Sequence, residues 1–176
     1  MNKLILAFGL LLLFPWVVLG ADSIQFDGET YTKQFSSNKP DIRLVEYVRS
    51  NETIDNWTKL VAIRQFTKLD NPKLSATHLA NALKQQNPEA KFQIFVKKDG
   101  SEAQIDFLTW SDNSQYMEFN IHRYLKVKGY DGLISYQFAY KLTDTSDQAM
   151  TQFKKNRQQW INEMSEIKFA IDFDKK

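Results

Sequence analysis

Gln115-Tyr116-Met117-Glu118-Phe119-Asn120-Ile121-His122-Arg123-Tyr124-Leu125-Lys126-Val127 is the stretch that decides the fold. Met117, Phe119, Ile121 and Leu125 fall on one face, and Glu118, Asn120, His122 and Lys126 on the other. A period of two with one apolar face is the pattern of a half-buried antiparallel strand. The turn Lys128-Gly129-Tyr130-Asp131-Gly132 follows, and then Ile134, Tyr136, Phe138 and Tyr140 alternate with Ser135, Gln137 and Lys141. The two runs predict a β-hairpin whose apolar face needs a covering layer.

Two Asp-Gly pairs extend the pattern, since this dipeptide between alternating runs marks a tight hairpin. Asp27-Gly28 joins Ile24–Phe26 to Glu29–Phe35, and Asp99-Gly100 joins Lys91–Lys98 to Glu102–Trp110. Ile42–Val48 and Leu60–Phe66 are further strand candidates, and Ile167, Phe169, Ile171 and Phe173 alternate as a short closing strand. Ser75 is placed to cap a short helix, with Leu74 and Leu79 as its hydrophobic staple and its end near Gln86, before Asn87-Pro88. A longer helix is expected from about Ser146 to Glu166, with Met150, Phe153, Trp160, Ile161 and Met164 on one stripe. The expected fold is therefore α+β: an antiparallel sheet of about six strands packed with one short helix and one long C-terminal amphipathic helix.

Composition bounds the function. The chain has 176 residues, 43% hydrophobic and 25% charged, with a formal charge of +2. This is the profile of one globular domain, without the basic field that nucleic acid demands. There is no cysteine, which excludes disulfides, thiolate metal sites and a cysteine nucleophile. The first 20 residues read as a signal peptide: Lys3 supplies the positive end, Leu4–Leu19 is uncharged and apolar, and Val18-Leu19-Gly20 precedes Ala21. Cleavage is expected after Gly20 or Ala21, leaving residues 21–176 as a single α+β domain in the bacterial periplasm or secreted. No stable membrane span is expected once the leader is removed.

Catalytic motifs are absent from this reading. The six glycines never cluster into a phosphate-cradling loop, and no Gly-x-Ser-x-Gly elbow occurs. Two histidines, His78 and His122, are too few for a zinc site; His78 reads as an exposed surface residue and His122 as part of a solvated strand face. Carboxylate pairs that an envelope hydrolase would need are Glu46 with Glu52, Asp106 with Glu118, and Asp172 with Asp174, and no spacing forces any of them together. No catalytic residue, metal or cofactor is assigned. The unusual feature is aromatic content, with 13 Phe, 4 Trp and 7 Tyr. Trp57, Trp110, Tyr116, His122 and Tyr124 are the candidate ligand- or partner-binding residues, because exposed rings on a sheet face take a sugar, a lipid edge or a protein. Cover by the long helix would instead make these rings the edge of the core.

The order of strands, helix, four-strand meander and long C-terminal helix resembles the PsbP-like fold of small exported bacterial domains. Glu46, Glu52-Thr53, Asn56-Trp57-Thr58 and Leu60-Val61 are similar to a stretch of uncharacterised exported domains. The resemblance implies a PsbP-like sandwich with an accessory, chaperone-like or ligand-holding role. The leading expectation is a non-enzymatic periplasmic binding protein, monomeric or weakly oligomeric, acting through a sheet face or the groove beside the C-terminal helix. Its partner would be a small ligand or another protein of the envelope. The alternatives are an immunity or secretion-linked protein that binds an envelope protein, and a carboxylate-dependent envelope hydrolase.

Overall fold

The computed structural model describes residues 22–110, 116–171 and 173. Within them the chain forms β1 (Ser23–Phe26), β2 (Glu29–Asn38), β3 (Ile42–Arg49), β4 (Lys59–Phe66), α1 (Pro72–Gln86), β5 (Phe92–Val96), β6 (Glu102–Trp110), β7 (Met117–Leu125), β8 (Leu133–Leu142) and α2 (Asp147–Glu166). The strands make one antiparallel sheet in the order β1-β2-β3-β4-β8-β7-β6-β5. Two four-stranded meanders thus lie side by side, and β4 pairs with β8 to join them.

This overturns the expectation of about six strands with one short helix, and with it the six-stranded sandwich. The sheet has eight strands, and α1 runs for 15 residues against 20 in α2. The sequence runs include counterparts of both edge strands, β1 and β5, as arms of the Asp-Gly hairpins, so the strands were read locally and the total of six was too low. The closing strand is also absent: the described residues after α2 join no ladder. Their alternation has another origin, since Phe169 and Phe173 are buried plugs on the main core.

The turns follow from their residues. Asp27 and Gly28 have φ of 53° and 68°, the two positive values that a type I′ hairpin turn requires. Gly132 has φ of 72°, and a Cβ there would lie 2.0 Å from the Phe66 carbonyl oxygen. No side chain fits between the β7–β8 turn and the end of β4.

Each face of the sheet has its own core. On one, α2 lays Phe153, Trp160, Ile161 and Met164 against Phe26, Phe119, Ile121, Tyr136 and Phe138. Trp160 is 1% exposed and its ring centroid lies 5.0 Å from Phe138 and 5.1 Å from Tyr140. Arg123 interrupts the apolar row of β7. It is buried because its guanidinium donates to the Met164 and Ile167 carbonyls at 3.0 and 2.7 Å while pairing with Glu102. A cation on the C-terminal carbonyls of α2 meets the negative end of that helix.

On the other face α1 packs on β5, β6 and β7 through Ala76, Ala80 and Leu83. Its cap is Asn71, whose side chain accepts from the Leu74 N–H, with Pro72 at the start of the helix. Ser75 was the expected cap; instead it lies in the first turn, buried, donating to the Asn71 carbonyl. Leu74 is 49% exposed, so the expected staple does not form. The helix ends at Gln86, as Asn87-Pro88 requires.

Candidate functional site

The face that carries α1 is only partly covered by it. Over β3, β4 and β8 the cover is the β3–β4 connection, residues 50–58, whose Ile54 and Trp57 pack on Val48, Leu60, Ala62 and Ala139. Glu52 fixes this connection. It accepts from the Thr58 N–H at 2.9 Å and the Thr58 hydroxyl at 2.6 Å, and it pairs with Arg49 at the end of β3. Burial opposes ionisation of Glu52, but the hydrogen bonds from Arg49 and Thr58 outweigh it and pull the carboxyl down to about 2. Thr53 and Asn56 bridge to each other and close the loop. The stretch Glu52-Thr53 to Asn56-Trp57-Thr58 therefore presents one tryptophan on a pinned loop.

Trp57 meets β8 at Lys141. The Lys141 ammonium sits 3.8 Å from the centre of the Trp57 ring and 5.3 Å from that of Tyr116. A cation between two rings is held by the negative face of each. The strand pairing places Lys141 opposite Glu118 of β7. From Glu118 a chain of side-chain hydrogen bonds crosses the sheet. Glu118 accepts from Asn120 at 2.9 Å, Asn120 accepts from Gln137 at 2.8 Å, and Gln137 accepts from Arg64. Arg64 then reaches Glu46 on β3 at 3.4 Å. Burial lowers the proton affinity of Arg64, and Glu46 partly offsets it. Asn120 and Gln137 are buried, whereas Glu46, Arg64, Glu118, Lys141, Trp57 and Tyr116 keep part of their surface open.

The residues singled out in the sequence fall into three groups. Trp57 and Tyr116 come together around Lys141. His122 and Tyr124 lie further along the same face, their rings stacked 6.2 Å apart, with Phe107 stacked on His122 at 5.8 Å. Trp110, 53% exposed, is alone on the opposite face at the end of β6. The strand face expected to be solvated around His122 is partly covered: His122 keeps some surface open, whereas Asn120 and Tyr124 are buried. Burial, with Arg64 adding to it, pushes the His122 imidazole down to about 3, and burial pushes the Tyr124 hydroxyl up to about 12. The cover over Tyr124 is α1 and not the long C-terminal helix, which occupies the other face. His78 is exposed, as expected.

None of the carboxylate pairs assembles among the described residues. Glu46 is engaged by Arg64 and Glu52 by Arg49. Asp106 pairs with Arg157 of α2, on the opposite face of the sheet from Glu118. Asp172 and Asp174, like the leader of residues 1–20, lie outside the described residues. No group of three or more His, Asp or Glu is placed to hold a metal among the described residues. No described helix is long and apolar enough to cross a membrane.

Sequence reasoning gave Arg64, Gln137 and Lys141 no part in a site and placed Glu52 only in a carboxylate pair. The signal was present in β8, where Ser135, Gln137 and Lys141 share a face, but only the β7–β8 register places them beside Tyr124, His122 and Glu118.

No curated protein and no solved structure matches the chain. A protein-family model does match, over residues 20–169. That span takes in both meanders, both helices and every residue of the polar chain, and the chain belongs to the family this model defines.

Proposed function

We propose that this chain is a non-enzymatic, exported binding protein of the bacterial envelope, and that the partly uncovered sheet face holds a neutral, hydroxyl-rich ring ligand, a saccharide. The observation that carries the reading is the Trp57–Lys141–Tyr116 stack beside the amide and carboxylate chain Glu118–Asn120–Gln137–Arg64–Glu46. Ring faces pack on the apolar side of a sugar, while fixed donors and acceptors answer its hydroxyls. Each cation on this face has an acidic neighbour: Arg64 has Glu46, and Lys141 lies opposite Glu118 in the ladder. A neutral ligand fits such a surface better than an anion, whose binding would need an unanswered cation.

Two features support a binding role over catalysis. His122 stays neutral far below physiological pH, which suits neither general acid nor general base work. Each carboxylate on the face is tied to a donor. Export is supported by the apolar leader, and the family match begins at residue 20, where cleavage is expected.

The test is a glycan array probed with the wild type and with Trp57→Ala and Lys141→Gln. The expected result is retention on neutral glycans that either substitution weakens at least about tenfold. Retention on anionic glycans alone, or binding that ignores both substitutions, would overturn the reading.

A further inference from the structure

The other end of the sheet carries a different surface. β5 is an edge strand, paired on one side only, with β6. Lys97 donates its N–H to the Glu102 carbonyl, so Phe95 and Gln93, at the same phase of the ladder, also point their backbone groups at β6. The backbone groups of Phe92, Ile94 and Val96 therefore face outward. Proteins commonly blunt such an edge by shortness, proline or cover. The opposite edge, β1, is only four residues long. β5, with five residues, carries four apolar side chains, of which Phe95 is 54% and Val96 39% exposed.

Beside this edge α2 reaches β5 where Arg157 donates to the Gln93 side chain at 3.2 Å, and beyond that contact lies a groove of about 710 Å³. Phe95 and Ile161 form apolar walls, and Gln104 of β6 lies at its base. The Gln104 Nε2 donates to the Ile161 carbonyl at 3.2 Å, but its Oε1 is buried with no hydrogen-bond partner. A buried acceptor without a donor is unusual.

Charge selects the occupant. The strand Phe92-Gln93-Ile94-Phe95-Val96 is bracketed by Lys91 on one side and Lys97-Lys98 on the other. A second copy added antiparallel about Ile94 would set Lys91 against Lys97 at both ends of the new ladder. Like charges directly opposite destabilise strand pairing. Carboxylates at those positions would instead meet Lys91 at one end and, at the other, share Lys97 with Glu102, its partner at 3.1 Å.

We propose that β5 and the groove beside α2 dock an extended segment of another protein as a ninth strand, a segment with an apolar centre and acidic residues at its two ends. Main-chain hydrogen bonds to Phe92, Ile94 and Val96 give affinity, and the contact with Phe95 gives specificity. This surface lies at the far edge from the Trp57 loop, so the saccharide reading stands or falls separately.

The experiment uses isotope-labelled protein and two synthetic peptides with the same valine-rich centre, one flanked by aspartates and the other by lysines. Amide shifts at Phe92, Ile94 and Val96 are expected with the aspartate peptide, and binding of the lysine peptide is expected to be about tenfold weaker or more. Val96→Pro removes an outward-facing donor while sparing the ladder to β6, and Phe95→Ser removes the exposed ring. Each should weaken the aspartate peptide about tenfold or more. If neither peptide shifts these amides at about 1 mM, if the lysine peptide binds equally well, or if both variants bind unchanged, the proposal fails. A concentration-dependent dimer with the same amides shifted, without peptide, would replace it with self-pairing.

Discussion

Replacing Glu52 with glutamine isolates the charge that pins the Trp57 loop. Glutamine keeps an acceptor for Thr58 and nearly the same shape, so the change removes ionisation and little else. A carboxyl whose proton affinity falls from 4.5 to about 2 on folding is linked to about 3.4 kcal/mol of stability at 1.36 kcal/mol per pH unit. The Glu52 side chain is 8% exposed but Arg49 is 29% exposed, and solvent screening reduces the contribution to about 1.5–2 kcal/mol. The folded state holds this proton less tightly than the unfolded chain does. The stabilisation is therefore complete above pH 4.5 and is lost as pH falls toward 2. Urea unfolding followed by circular dichroism at pH 7, 4.5 and 3 measures the gap between wild type and Glu52→Gln. The expected gap is about 1.5–2 kcal/mol at pH 7, or about 3–8 °C in thermal midpoint for a domain of this size, shrinking steadily at the lower values. Other carboxylates titrate alike in both proteins, so the difference belongs to Glu52. A gap that is absent at pH 7, or that stays constant down to pH 3, would refute the reasoning.

Gly132→Ala forces a side chain into the Phe66 carbonyl at a φ of 72°, and a cost above about 3 kcal/mol is expected in thermal unfolding; a loss under about 1 kcal/mol would mean that the turn yields easily. Arg123→Met removes the donor to the Met164 and Ile167 carbonyls, and a cost of about 3–5 kcal/mol is expected, with faster hydrogen exchange at the Ile167 amide where α2 ends. Wild-type exchange at that amide in the variant would deny Arg123 its capping role. The His122 ring carbons, followed by NMR, should show a neutral imidazole at pH 5, with titration near 3. Because the folded state binds that proton less tightly than the unfolded chain, His122 makes stability fall as pH drops from about 6.5. A titration near 6.5 would place His122 in water.

Much of the fold was legible because its devices are local. The Asp27-Gly28 and Asp99-Gly100 turns, the β7–β8 hairpin and α2 each announce themselves within a short window of chain. What was not legible depends on partners distant in sequence. Arg123 reads as a polar residue breaking an apolar row until the end of α2 comes to rest on it. His122 and Asn120 read as solvated because alternation tells two faces apart but not whether the second face is covered. Here that face has its own cover, α1 over Tyr124 and the pinned loop over Ala139. The candidate site was half visible for the same reason. Trp57 and Tyr116 stand out by type, whereas Lys141, Gln137 and Arg64 acquire meaning only from strand register. Glu52 looked like one member of a carboxylate pair, and the structure makes it the anchor of a loop.

The central claim is that the sheet face between the Trp57 loop and α1 is where this protein binds. Backbone and side-chain amide shifts of the isotope-labelled chain, titrated with a neutral oligosaccharide retained on the array, test it most directly. Shifts are expected at the Trp57 indole, at the Asn120 and Gln137 side-chain amides and along Lys141, with Trp110 unmoved. Shifts confined to the α2 face, or none on the face that carries Trp57, would contradict it.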